Sequence, residues 1–219
     1  MSIERTLEIP AAGVTLEADV ALPSEPRGMV LFAHGSGSSR RSPRNRYVAS
    51  ELQEEGFGTI LVDLLTPAEG SVDDRTAELR FDIGFLAVRL TAIAEWSIAH
   101  YGDLRLGLFG ASTGAAAALV TAAHRPAIVS AVVSRGGRPD LAGPALHQVV
   151  APTLLVVGGR DHTVLELNQA ALRELPVEPE HKELVVVPGA THLFEEPGAL
   201  EQVAQLAAGW FGRHVAATD

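Results

Sequence analysis

Leu106-Gly107-Leu108-Phe109-Gly110-Ala111-Ser112-Thr113-Gly114-Ala115 is the stretch whose reading decides the fold. The apolar Leu106–Phe109 reads as a buried strand, and the Ala-rich Thr113–His124 that follows reads as a helix. Gly110-x-Ser112-x-Gly114 therefore stands on a strand-to-helix turn. A turn this sharp strains its central residue and leaves no room for side chains two positions to either side. That is the pattern of a nucleophile elbow. Ser112 would project above the strand ends, with a helix N-terminus facing any negative charge that develops. Two other readings compete with it. The glycines could serve close helix packing alone, or the loop could bind a dinucleotide. The second needs G-x-G-x-x-G and an acidic residue about 20 positions later, and the chain has neither.

The same logic extends outward. Short apolar runs at Met29–Ala33, Thr59–Val62, Ile128–Val133, Thr153–Val157 and Leu184–Val187 are bounded by Gly, Pro or polar residues, as in strands covered on both faces. Between them, apolar spacing of three and four predicts helices at Asn45–Glu55, Thr76–His100, Thr163–Leu175 and Gly198–His214. Ile3–Pro10 and Val14–Leu22 alternate around Ala11-Ala12-Gly13 as an antiparallel hairpin. The expectation is one α/β domain over residues 1–219, with a mostly parallel central sheet flanked by helices. Its ligand site should lie at the C-terminal strand ends. The segments between strands look too short for a separate lid domain.

Composition narrows the function classes. The 219 residues are 47% hydrophobic and 20% charged, which excludes a disordered chain. Lys and Arg number 17 against 27 Asp and Glu, a net charge of −10 that argues against bulk nucleic-acid or membrane-surface binding. There is no cysteine, so disulfides, thiolate metal sites and a cysteine nucleophile are excluded in this chain. Met1-Ser2-Ile3-Glu4-Arg5 carries no apolar signal core, and the longest apolar run, Ala115–Val120, is too short to span a bilayer. A cytoplasmic protein is expected, of unspecified oligomeric state.

A nucleophilic serine needs a base and a group that orients the base. The elbow motif places an acid and then a histidine later in the chain, at strand ends. Asp161 follows Leu154–Val157 through Gly158-Gly159-Arg160, and His192 follows Leu184–Val187 through Pro188-Gly189-Ala190-Thr191. Asp161 could instead be a helix N-cap, and His192 one loop histidine among eight. Asp140, one strand earlier, is the runner-up acid. For the oxyanion, the N–H of Thr113 is one candidate donor and that of Ser36, in His34-Gly35-Ser36-Gly37-Ser38-Ser39, is the second. His34 reads as structural, hydrogen-bonded within that loop.

With the elbow Gly110–Gly114, the His34-Gly35 loop, Asp161 and His192 in place, the chain resembles the α/β-hydrolase superfamily. Its small size and missing lid resemble the dienelactone-hydrolase-like branch. The likeness runs from about Met29 to Arg213 and implies an α/β-hydrolase fold with a Ser-His-Asp triad. Two positions depart from dienelactone hydrolase proper, which has cysteine where Ser112 stands and a glutamate at the position of Gly35. The departures point toward a carboxylesterase-like serine hydrolase of a small ester, thioester or lactone. Two alternatives remain open: a dienelactone-hydrolase-like enzyme for an anionic lactone, with cysteine as the natural residue at 112, and a non-catalytic ligand-binding protein on the same fold.

Sixteen arginines and one lysine, Lys182, make any basic site a guanidinium site. Arg40, Arg41, Arg44 and Arg46 crowd the segment after the oxyanion loop, and Arg135 and Arg138 follow another strand. Arg135 and Arg40 are candidate substrate ligands for a carboxylate or phosphate. The competing reading is loop bracing against Asp63, Asp140 or Asp161. Glu195-Glu196 reads as a helix N-terminal cap region. H-E-x-x-H is absent and no histidine pair has helical ligand spacing, so neither a metal nor another cofactor is expected.

Overall fold

Strands β1 (Ile3–Ala11) and β2 (Val14–Leu22) form the expected hairpin, closed by Ala12 and Gly13 at φ of 48° and 84°. Positive φ at both loop residues is the two-residue turn whose twist suits a hairpin. The structure, a computed structural model, describes residues 3–216. Met1 and Ser2, which head the segment read as lacking a signal core, lie outside the described residues.

Strands β3 (Met29–Ala33), β4 (Gly58–Val62), β5 (Leu106–Ala111), β6 (Val129–Arg135), β7 (Thr153–Gly158) and β8 (Lys182–Val187) complete an eight-stranded sheet. Its order is β1-β2-β4-β3-β5-β6-β7-β8. β2 runs antiparallel to β4, and every later pairing is parallel. Burial of β3, β4, β5 and β7 is continuous, as expected of strands covered on both faces. Helices α1 (Pro43–Glu54) and α6 (Ala199–His214) cover one face, over a core that includes Phe32, Phe57, Phe109, Trp210 and Phe211. Helices α3 (Ile83–His100), α4 (Thr113–His124) and α5 (His162–Glu174) cover the other, over Leu31, Leu90, Leu108, Leu119 and Leu155.

The structure departs from the expected single helix over Thr76–His100. The chain instead forms α2 (Pro67–Thr76), a 3-10 turn at Leu79–Phe81, and only then α3. α2 starts on a capping box, in which the Thr66 hydroxyl accepts from Glu69 N–H and the Glu69 carboxylate accepts from Thr66 N–H. It stops where Ala77 turns left-handed at φ 57°. Buried Asp73 accepts from the Leu79 and Arg80 N–H groups and from Arg80 Nε. Asp82 then caps α3 through Phe85 N–H. Local polar chemistry overrides the helical period here. A second 3-10 segment, Pro139–Gln148, bends at Gly143 (φ 53°). Among the described residues, no helix is long and apolar enough to cross a membrane.

Candidate active site

Ser112 sits between β5 and α4 at φ 51°, ψ −119°, a conformation that costs a non-glycine residue roughly 1–3 kcal/mol. The two flanking glycines explain how it is held. A β-carbon on Gly110 would lie 2.4 Å from Ala115 Cα, and one on Gly114 would lie 2.3 Å from the Ala33 carbonyl oxygen. Backbone is on both sides, so neither contact can relax cheaply. Ser112 N–H donates to the Arg135 carbonyl and Arg138 N–H donates to the Ser112 carbonyl, each at 3.2 Å. The elbow is therefore pinned to β6 and the loop after it.

Asp161 occupies the N-cap position of α5 but makes no capping hydrogen bond. Its Oδ2 instead accepts from His192 Nδ1 at 2.6 Å. That bond fixes the imidazole tautomer and leaves Nε2 free on the opposite edge. A β-carbon on Gly136 would lie 3.5 Å from His192 Cε1, which places the ring over the end of β6, the strand to which Ser112 is pinned. Ser112 Oγ makes no hydrogen bond among the described residues; in unliganded sites such contacts often close only around substrate. Asp140 is taken by Arg138 through both carboxylate oxygens, at 2.9 and 2.7 Å. The pair Glu195-Glu196 does not cap α6, whose N-cap is Gly198. Glu195 holds Arg44 at 3.0 Å, and Glu196 accepts from Thr191 N–H at 3.1 Å. The Thr191 bond holds the Glu196 carboxyl below its ordinary range.

The N–H groups of Ser36 and Thr113 find no acceptor among the described residues, and Gly35 joins them by close approach. A β-carbon on Gly35 would lie 3.0 Å from Ser112 Cβ. His34 organises this loop. Leu64 N–H donates to His34 Nε2 at 3.1 Å, so Nε2 is bare and Nδ1 carries the proton that it donates to the Gly35 carbonyl at 2.9 Å. The Gly35 carbonyl also accepts from Ser38 N–H. A trans peptide directs its N–H away from its carbonyl, so the Ser36 N–H points to the side opposite the His34 ring.

Burial, outweighing the Gly35 bond and Asp63, lowers the His34 pKa from 6.5. The neutral ring's contribution is fully present above the unfolded value and is lost as pH falls toward the depressed folded value. Below pH 6.5 this one group should cost up to about 1.4 kcal/mol of stability per pH unit. Denaturant melts of the wild type and His34→Gln between about pH 7.5 and 5.5 check this. The wild-type curve should fall more steeply toward acid, whereas parallel curves would contradict it.

Arg40 is buried. Its guanidinium pairs with Asp63, with Glu17 at 3.2 Å and with Asp19 at 3.5 Å, while its N–H donates to Asp63 at 2.7 Å. It braces the segment after the His34-Gly35 loop to β2 and to the loop after β4, so the structure gives it the bracing role in place of substrate contact. Arg135 is different. It is 8% exposed, faces α1 and α6, and has no carboxylate partner among the described residues. One nitrogen donates to Asn45 Oδ1 at 3.4 Å and the Phe194 ring centroid lies 6.0 Å away. Nε and Nη1 have no partner. Burial, with the like charge of Arg44 second, brings the guanidinium down to about 10. Among the described residues, no group of three or more His, Asp or Glu is arranged to hold a metal.

The alpha/beta hydrolase fold family matches residues 28–150, which take in the oxyanion loop and the elbow. The chain belongs to the α/β-hydrolase superfamily. A dienelactone hydrolase of Anabaena variabilis is 53% identical, with a TM-score of 0.94 over 98% of this chain and 99% of that one, which supports the dienelactone-hydrolase-like branch. A Mycobacterium tuberculosis protein provisionally named a phosphoribosyl transferase is 55% identical over 214 residues, 97% of this chain. The chain spans about half, 47%, of that relative's length. A lidless serine hydrolase of Xanthomonas campestris shares the fold, with a TM-score of 0.78 at 22% identity over 99% of this chain and 97% of that one.

In this α/β-hydrolase, a cleft of about 520 Å³ opens beside Ser36 and Thr113. Its far wall comes from α2 and the 3-10 turn, through Thr66, Asp73, Asp74 and Arg80. Sequence reading missed this wall, although Thr66-Pro67-Ala68-Glu69 carries a capping-box signal. It also missed Asn45, Phe194 and Glu195 as neighbours of the arginines. No local pattern marks them, because they meet only when α1 and the His192 loop pack over β6.

Proposed function

We propose that this α/β-hydrolase is a serine esterase that cleaves small esters, thioesters or lactones through an acyl-enzyme. The observation that carries the reading is the 2.6 Å bond that His192 Nδ1 donates to Asp161, with the His192 ring over the end of β6, the strand to which a serine strained at an elbow is pinned. Ser112 Oγ attacks the substrate carbonyl carbon while His192 Nε2 takes the hydroxyl proton. Asp161 holds the tautomer and stabilises the imidazolium. The Ser36 and Thr113 N–H groups receive the oxyanion. Collapse expels the alcohol, thiol or ring oxygen, protonated by His192. A water then gives its proton to His192 and attacks the acyl carbon; the acid leaves and Ser112 is reprotonated.

Two features favour serine chemistry over the thiol chemistry of dienelactone hydrolase proper. Ser112 occupies the nucleophile position, and Gly35 stands in place of the glutamate, at a point where any side chain would crowd its neighbours. Its missing β-carbon would lie only 3.0 Å from Ser112 Cβ and 3.1 Å from the Ala111 carbonyl oxygen. The phosphoribosyl transferase name of the mycobacterial relative does not enter this reading, because that transfer calls for no acyl-enzyme serine.

Labelling with a fluorophosphonate, followed by peptide mapping and alongside p-nitrophenyl acetate turnover, tests the proposal. Label on the Ser112 peptide together with turnover supports it. A folded protein with neither label nor turnover overturns it.

A further inference from the structure

Ser112, Asp161 and His192 stand on the segments after β5, β7 and β8. The loop after β6, Gly136-Gly137-Arg138, carries none of them yet is tied to all three segments. Gly136 N–H donates at 2.7 Å to the Val156 carbonyl of β7, the strand that leads to Asp161. A β-carbon on Gly136 would lie 3.2 Å from the His192 carbonyl oxygen, so this loop and the histidine segment are in close contact. Arg138 N–H donates to the Ser112 carbonyl at 3.2 Å. Between them, a β-carbon on Gly137 would overlap Ser134 Oγ and lie 2.6 Å from Ala115 Cβ. The loop therefore packs directly on β6 and on the first turn of α4.

One side chain holds the loop from the side of the acid. Asn168 lies in α5, the helix that starts after Asp161, within the buried stripe Val164, Asn168 and Ala171. Such stripes ordinarily take apolar residues, and asparagine is a weak helix former. Asn168 is nevertheless 0% exposed. Its Nδ2 donates to the Val164 carbonyl at 2.8 Å and to the Gly137 carbonyl at 2.9 Å. Both partners are acceptors, so only the NH2 edge of the amide can face them. Oδ1 is left without a partner, a cost that an apolar residue would not carry. Among the described residues, no other donor reaches the Gly137 carbonyl.

That carbonyl and the Arg138 N–H are the two ends of one peptide plane. A trans peptide is rigid, with its C=O and N–H directed opposite ways. The plane is thus gripped at one end by the helix that follows Asp161 and at the other by the elbow. We propose that Asn168 is a positioning residue: by holding the Gly137–Arg138 peptide, it sets where Ser112 stands relative to His192 and Asp161. This role rests on the serine-esterase reading.

Two variants separate the bond to Gly137 from the bond to Val164. Asn168→Thr keeps a hydroxyl that can donate to the carbonyl four residues back in its own helix, but its side chain is one bond shorter toward Gly137. Asn168→Leu removes both bonds and continues the apolar stripe. Denaturant melts check that both fold, and Asn168→Thr, the smaller change, decides the matter if the leucine does not pack. For p-nitrophenyl acetate, kcat should fall on the order of 10²-fold in each variant, the scale of a misplacement of about 1 Å at the reacting atoms. KM should change little. Amide hydrogen exchange should quicken at Ser112 and Arg138 in both variants, a readout that does not depend on turnover. Wild-type kcat in Asn168→Thr, an effect confined to KM, or unchanged exchange at those two amides overturns the role. Wild-type turnover in that case leaves the esterase reading standing. A folded wild type with neither label nor turnover overturns the esterase reading, and this role with it.

Discussion

Ser112→Ala should lower kcat for p-nitrophenyl acetate by about 10⁶-fold, the scale seen when a serine nucleophile is removed from an intact triad. That corresponds to about 8 kcal/mol of lost transition-state stabilisation. The loss should fall on kcat, since the hydroxyl contributes a bond that forms only during reaction. Stability should hardly change, because Ala accepts φ 51° no better and no worse than Ser. Ser112→Gly makes the complementary case. Glycine adopts this backbone without steric cost, so the inactive Gly variant should be about 1 kcal/mol more stable than the wild type. Chemical denaturation of the three proteins checks both halves. An Ala variant that keeps a tenth of its activity would exclude Ser112 as nucleophile, whatever its strain.

Asp161→Asn should cost about 10⁴-fold in kcat while preserving the fold. The side chain keeps its shape, but an amide presents either an N–H or a neutral oxygen to His192 Nδ1. In the first case the imidazole is forced into the wrong tautomer, and in the second the imidazolium goes uncompensated. The 2.6 Å contact makes the prediction specific to this residue. Asp140 provides the internal control: its carboxylate is spent on Arg138 at 2.9 and 2.7 Å, so Asp140→Asn should leave kcat near the wild-type value. A steady-state comparison of the two variants decides which carboxylate acts, and a reversal of their effects would move the acid to the strand before.

Much of this was legible along the chain. The elbow is a local motif, so Gly110-x-Ser112-x-Gly114 could be read without a fold, although only Gly110 is demanded by backbone within a few residues while Gly114 is demanded by Ala33 and His34 of β3 and the loop after it. The alternation of apolar runs and Ala-rich stretches set the α/β class, because burial on both faces of a strand removes polar residues wherever the strand is paired. The elbow motif's order, together with strand-end placement, named Asp161 and His192 as candidates and left Asp140 as the runner-up acid. The capping function open to Asp161 was settled only by the fold, since an aspartate at a helix start can cap or turn away, and the choice depends on whether a histidine waits across the sheet.

The arginines show the opposite limit. Arg40 and Arg135 look alike in sequence, each after a strand and near a glycine-rich loop, yet one is surrounded by carboxylates from β2 and from the loop after β4, and the other by Asn45, Phe194 and a second arginine. Charge compensation is a sum over neighbours from distant segments, and periodicity carries no information about it. The helix expected over Thr76–His100 failed for a related reason: Asp73 reaches six and seven residues ahead to hold Leu79 and Arg80, a contact that outweighs helical spacing. The sequence by itself determined the elbow motif, the α/β alternation and the candidate nucleophile, because each is written in a pattern of residues close in the chain. Tertiary structure alone decided which acid meets His192, which arginine braces the loop and which is left unpaired, because those depend on what is packed across the sheet.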